Sequence, residues 1–234
     1  MSQTKYTTRT IPKISLANFE SRIEEITTQL LHAASTDGFF SLVDHGILLS
    51  EIEHMFQTSE SFFAQPDAVK ATVPFSHANA GWEKNAQIRP STGQPDRKES
   101  YQMQFGANMD GLWLSEEALP GFRETSLRFM RRAQGVSEML MRCFARGLGF
   151  EEEYFVRAHD VSRKESQTVL RLVSLVLSSS FRCPSPILSF ILHLVSRVTT
   201  DANTDDNNNN NSFITSKSTS PPLSQMDTTE PALT

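Results

Sequence analysis

Apolar residues recur at helical spacing in three long segments. Phe19, Ile23, Ile26, Leu30 and Ala34 form one stripe, with Asn18 placed to cap its start and Asp37-Gly38 to end it. Ile52, Met55, Phe56, Ser59, Phe62 and Phe63 form a second, aromatic stripe, opened by the capping-box sequence Ser50-Glu51-Ile52-Glu53. Phe122, Ser126, Phe129, Ala133, Val136, Leu140, Cys143 and Phe144 form the longest, which Gly147 and Gly149 terminate. Shorter helices are predicted from Pro66 to Lys70 and over the acidic stretch from Glu151 to Phe155.

Strand signals lie between the helices. Ile11-Pro12-Lys13-Ile14-Ser15-Leu16 alternates, with Pro12 favouring an edge or a strand start. Phe39 to Val43 is a run of aromatic and branched residues that predicts a buried strand, closed by the turn Asp44-His45-Gly46. Asp96 to Met103 and Gln167 to Leu172 predict two more strands. Val73 to Pro95, carrying Trp82, and Asn108 to Pro120, carrying Trp113, read as loops. The expected class is α+β.

The pattern changes after Leu172. Val173 to Val198 is apolar and serine-rich but broken by Arg182, Pro184 and Pro186. Each apolar half is about ten residues, whereas a membrane span needs roughly twenty, so no membrane span is expected. Thr199 to Thr234 holds an asparagine run and many Ser and Thr, too little apolar surface for a core, and is expected to be disordered. The expected organisation is a folded region 1–172, an apolar segment 173–198 and a tail 199–234.

Composition narrows the function classes. The chain has 234 residues, 38% of them hydrophobic, against about 45–50% for globular domains when Gly is counted; the deficit lies in the tail 199–234. A net charge of −5 argues against general nucleic-acid affinity. The two cysteines, Cys143 and Cys183, have no CxxC or CxxH neighbour, so neither a disulfide framework nor a zinc site is expected. Met1 to Thr10 is polar and shows no secretory signal, which makes a reducing, cytoplasmic compartment the default.

Several short motifs occur in a fixed order: Ile11 to Leu16, Asp37-Gly38-Phe39-Phe40 with Asp44-His45-Gly46-Ile47, and Phe62-Phe63-Ala64-Gln65-Pro66. Lys98-Glu99-Ser100, Pro120-Gly121-Phe122-Arg123, Gly147-Leu148-Gly149 with Tyr154-Phe155, and Val169-Leu170-Arg171-Leu172 follow. This series resembles the N-terminal region of the isopenicillin N synthase-like family of Fe(II)/2-oxoglutarate-dependent dioxygenases. Asp44 stands where that family usually has Asn, and both types suit a turn. The resemblance implies a helical N-terminal region with a few strands, preceding a double-stranded β-helix (jelly roll). In intact members that jelly roll holds Fe(II) on a His-x-Asp pair and a distant His, and an Arg-x-Ser motif grips 2-oxoglutarate. Such enzymes oxidise small molecules. The resemblance also places Lys98, Glu99 and Tyr101 at the border of the substrate pocket, the bland alternative being an exposed strand face. Trp82 and Arg89 fall in a loop that covers the pocket in relatives, or are a packed aromatic and a solvated charge.

The chemistry does not follow the resemblance through. Two residues after His32, His45, His54, His77, His159 and His193 stand Ala34, Ile47, Phe56, Asn79, Val161 and Val195, so no His-x-Asp or His-x-Glu exists. His159-Asp160 is adjacent, and adjacent side chains diverge. Arg89-Pro90-Ser91 matches Arg-x-Ser by letter but lies in the N-terminal loop. No catalytic residue, metal ligand or cofactor is therefore expected in this chain. His45 and Asp44 read as turn formers and Cys143 as a core residue. The reading is a family member whose jelly roll is missing or truncated and which does not turn over. The alternative is a non-catalytic binding or decoy module; membrane attachment through Val173–Val198 is the weaker third. The stripes Phe56/Phe62/Phe63 and Phe122/Phe129/Phe144 are expected to lack the jelly roll that covers them, leaving apolar faces open to self-association.

Overall fold

The computed structural model describes residues 10–86, 88, 90–91, 93–95, 97–175 and 189–194. Among them the elements are β1 (Lys13–Ser15), α1 (Phe19–Thr36), β2 (Ser41–Val43), α2 (Leu49–Phe63), α3 (Asp67–Lys70), β3 (Gly81–Lys84) and β4 (Lys98–Met103). A 3₁₀ turn (Gly106–Met109), α4 (Phe122–Gly147), α5 (Tyr154–Ala158), β5 (Thr168–Leu175) and β6 (Ser189–Leu194) follow. β1 and β2 pair in parallel; β3-β4-β5-β6 is an antiparallel four-stranded sheet in that order. The class is α+β, as the sequence predicts.

The three long helices form where the stripes predict them, but their ends are built differently. Asn18 occupies the cap position of α1 in a left-handed conformation (φ 53°) and makes no side-chain capping bond. At the other end Gly38, at φ +79°, sends its N–H back to the Ala33 carbonyl at 3.0 Å, closing the helix as a residue without Cβ can. α2 begins at Leu49, before the predicted box. Glu51, not Ser50, does the capping: its carboxylate accepts the Leu48 N–H at 3.0 Å. On α1 the buried position is Ala33, with Ala34 exposed.

Two cores result. Ile14, Leu16, Ile26, Leu30 and Cys143 bring β1, α1 and the C-terminal half of α4 together. Burial pushes the Cys143 thiol up from its ordinary value, in keeping with a core cysteine. Met55, Phe62, Tyr101, Met103, Phe122, Leu170 and Leu172 join α2, the N-terminal half of α4 and one face of the large sheet. At its centre Phe62 stacks on Phe122 with centroids 5.2 Å apart and lies 4.4 Å from Tyr101. Phe62 and Phe122 are thus covered from within the chain, contrary to the expectation that these stripes await an external partner. The exposed large apolar residues lie elsewhere, among them Phe39, Leu48, Leu49, Leu148 and Phe150.

Three expectations on strands need correction. Phe39 to Val43 is not a buried strand: only Ser41–Val43 is extended, it pairs with a three-residue partner, and Phe39 is 56% exposed. Two short strands standing outside the large sheet have nothing to cover both faces. The stretch 73–95 is not wholly loop. Gly81–Lys84 forms β3, because Trp82 pairs with Tyr101 and the Val73 and Phe75 backbones bond to Trp82 on its other edge. The short helix expected from Glu151 begins three residues later, at Tyr154. β5 runs past Leu172 to Leu175, and residues 189–194 form the strand beside it. The predicted tail 199–234 lies outside the described residues, as does most of 173–198.

Candidate functional site

The site grows out of the period-two alternation of β4. Glu99, Tyr101 and Met103 face the helices, while Ser100 and Gln102 face the other way. The sequence-predicted pocket-edge residues are therefore divided. Glu99 and Tyr101 lie on the helical side; Lys98 shares the parity of Ser100 and Gln102. Nor is this an exposed strand face, since every residue from Glu99 to Met103 is buried.

On the helical side the polar groups are consumed by the scaffold. Lys70, 2% exposed on α3, places its ammonium 2.8 Å from the Glu99 carboxylate, 3.1 Å from the Phe63 carbonyl and 3.2 Å from Asp67. The Trp82 indole N–H donates to the same Glu99 oxygen at 3.0 Å, and the Lys70 ammonium lies 5.4 Å from the Trp82 ring centroid. Trp82 is thus the packed aromatic of the two readings, although on a strand rather than in a loop; Arg89 lies outside the described residues. The Tyr101 hydroxyl donates to the Leu112 carbonyl, and burial pushes its pKa well above the ordinary value.

The opposite face carries a row of polar groups drawn from three strands. Glu83 on β3, Ser100 on β4 and Arg171 on β5 meet there. The Ser100 hydroxyl donates to the Glu83 carboxylate at 2.9 Å, Arg171 forms an ion pair with that carboxylate, and its guanidinium also donates to Ser100 at 2.9 Å. The register makes the meeting possible: Ser100 pairs with Glu83 across one edge of β4, and Gln102 pairs with Arg171 across the other. Gln102 continues the row, donating to the carbonyl and side-chain oxygens of Asn79 at 2.9 and 2.8 Å. Gln104 donates to the Asn79 carbonyl at 3.2 Å, and Asn108 donates to the Gln104 side chain at 2.8 Å. Arg171 Nε is buried with no hydrogen-bond partner among the described residues. Sequence reasoning quoted Arg171 and Ser100 only as family landmarks and passed over Glu83. The available signal was the alternation of Glu99-Ser100-Tyr101-Gln102, which splits that strand into two faces.

The histidines are dispersed. His45 accepts the Ile47 N–H on Nδ1 at 3.2 Å in its turn, as a turn former does. Asp44, at φ 54°, accepts the Ser15 hydroxyl at 2.6 Å and ties β2 to β1. His159 Nδ1 lies 2.8 Å from the Phe155 carbonyl one helical turn back. His193 lies on β6, opposite Val169. Among the described residues no group of three His, Cys, Asp or Glu side chains is placed to hold a metal ion. No helix among them is long and apolar enough to cross a membrane.

Comparison with known proteins fits this arrangement. Residues 11–117 match the family described as non-haem dioxygenase in morphine synthesis, N-terminal. The chain is 31% identical over 144 residues to the proline hydroxylase buaE of Petromyces alliaceus, covering 57% of this chain and 45% of that protein. It is 25% identical over 147 residues to the 2-oxoglutarate-dependent dioxygenase ecdK of Aspergillus rugulosus, covering 54% and 44%. The chain thus spans about half the length of these curated relatives. Among solved structures, full-length Neurospora crassa T7H in complex with alpha-KG superposes with a TM-score of 0.62 at 28% identity, over 73% of this chain and 56% of that one. A putative 2OG-Fe(II) oxygenase family protein from Caulobacter crescentus shares the fold, with a TM-score of 0.60 at 18% identity. Ordered motifs, helical layer, sheet and relatives agree on the Fe(II)/2-oxoglutarate-dependent dioxygenases: residues 11–117 carry that family's N-terminal region.

Proposed function

We propose that this chain supplies the helical scaffold and one substrate-facing wall of an oxygenase that oxidises a small molecule, and that these 234 residues by themselves do not turn over. The observation that carries the reading is the polar face of Glu83, Ser100, Gln102 and Arg171, built by the first three strands of the large sheet on the side away from the helices. In this reading β4 to β6 begin the jelly roll. Lys98 stands with the substrate-facing row, while Glu99 and Tyr101 hold the strand from behind. The relatives support the reaction class, being a proline hydroxylase, a 2-oxoglutarate-dependent dioxygenase and a protein solved with alpha-KG.

The donor set of this chain does not fit Fe(II). Its sequence contains no His-x-Asp or His-x-Glu, and its described histidines are dispersed over turns, helices and, for His193, one strand. No step is therefore routed through the metal here. The proposal includes a cytoplasmic chain. Any self-association would draw on exposed apolar residues such as Phe39, Leu48 and Leu49.

The purified chain, given Fe(II), 2-oxoglutarate and ascorbate, should release no succinate above a protein-free control; stoichiometric or catalytic succinate would sink the reading. The second reading, a binding module without catalysis, is favoured by one observation. Both apolar cores are assembled from residues of this chain. A monodisperse, cooperatively unfolding product on a sizing column supports it, and an aggregate counts against it.

A further inference from the structure

The polar face carries an internal charge balance that bears on what it binds. Arg171 has Glu83 as its direct counter-ion, with side chains 19% and 14% exposed, in a row on whose side Lys98 also falls. Both recorded bonds to Glu83, from Ser100 and from Arg171, fall on Oε1. Arg171 uses one terminal nitrogen for Glu83 and Ser100, while its Nε–H has no partner among the described residues. A donor still to be matched therefore lies beside a carboxylate with a second acceptor oxygen. A buried, unmatched donor destabilises until something accepts from it.

A ligand carboxylate at Arg171 would meet the Glu83 carboxylate at close range, and like charges placed together in a half-buried site cost several kcal/mol. A neutral ligand with a carbonyl next to an N–H meets no such penalty. Its carbonyl accepts from the guanidinium while its N–H donates to the carboxylate, so a donor and an acceptor are matched together. We infer that the Glu83–Arg171 pair selects neutral molecules that present an adjacent carbonyl and N–H, such as a lactam, amide or imide edge, and rejects carboxylates. This rests on the reading that the polar face receives the substrate.

The test uses the whole 234-residue chain and two probes of similar size, 2-pyridone and benzoate, at pH 7.5. Binding is measured by ligand-detected saturation-transfer NMR and mapped by amide shifts of Ser100, Gln102 and Arg171. The wild-type chain should bind 2-pyridone at least about tenfold more tightly than benzoate, with shifts at those amides. Glu83→Gln removes the counter-ion and leaves the cation, so benzoate should gain and 2-pyridone lose, reversing the order. Equal binding, tighter benzoate binding, no binding of either probe, or shifts elsewhere in the wild-type chain overturns the inference, and these readouts stand even if the variant does not fold. Succinate release by the chain would overturn the functional reading without touching this preference, so the two failures are distinguishable.

Discussion

Replacing Lys70 with Met isolates the largest electrostatic commitment in the fold. The change keeps the length and apolar stem of the side chain and removes its ammonium. Among the described residues Glu99, whose side chain is 9% exposed, then keeps the Trp82 indole N–H, and the Phe63 carbonyl loses its side-chain donor. Breaking one partner of a buried ion pair typically costs about 3–5 kcal/mol, because the other charge stays buried without its neighbour. An exposed pair, by contrast, contributes about 0–1 kcal/mol. With a urea slope of about 2 kcal/mol per molar, Lys70→Met should lower the unfolding midpoint at pH 7 by roughly 2 M. Adding Glu99→Gln to Lys70→Met removes the stranded charge and should restore more than half of the loss. A Lys70→Met loss below about 1 kcal/mol, or a double variant no more stable than the single one, would refute the argument that this pair is buried and mutually dependent.

Two further outcomes test the backbone and the buried phenol. Gly81→Ala should destabilise by at least about 2 kcal/mol in the same urea assay. Gly81 holds φ +106°, and a Cβ there would overlap the Pro74 carbonyl; a neutral substitution would show that β3 is free to shift. Tyr101 has its folded-state pKa raised by burial above the unfolded value of about 10. Its contribution to stability is therefore complete below pH 10 and declines as pH rises, because the unfolded phenol ionises first. Urea midpoints taken from pH 8 to pH 11 should fall above pH 10 in the wild-type chain and fall less in Tyr101→Phe; parallel curves would contradict the assignment.

The helices were legible because each stripe sits on a face that another element of the same chain covers, so period and burial coincide. Their ends were less so. Glu51 outcompetes Ser50 as the cap of α2 because the helix starts at Leu49, placing Glu51 three residues after the Leu48 N–H. β3 was hidden because Trp82 sits among turn residues, and its extended form depends on partners at Val73, Phe75 and Tyr101. The candidate site was half legible. The motif Lys98-Glu99-Ser100 marked β4, but which of its residues face the helices depends on Lys70, 29 positions away from Glu99.

The sequence by itself determined the α+β class, the three helical stripes and the family, since these follow from local periodicity and from the order of short motifs. It also determined that no His-x-Asp or His-x-Glu pair is present, which a residue list alone establishes. Only the tertiary structure decided which face of β4 carries the polar row. Strand alternation gives two faces but does not say which one the helices cover. That assignment comes from Phe62, Phe122 and Lys70 packing against Tyr101 and Glu99. Once they occupy one side, Glu83, Ser100, Gln102 and Arg171 are left to form the polar row on the other. Residues 83 and 171 lie 88 positions apart and meet only through the register of three paired strands.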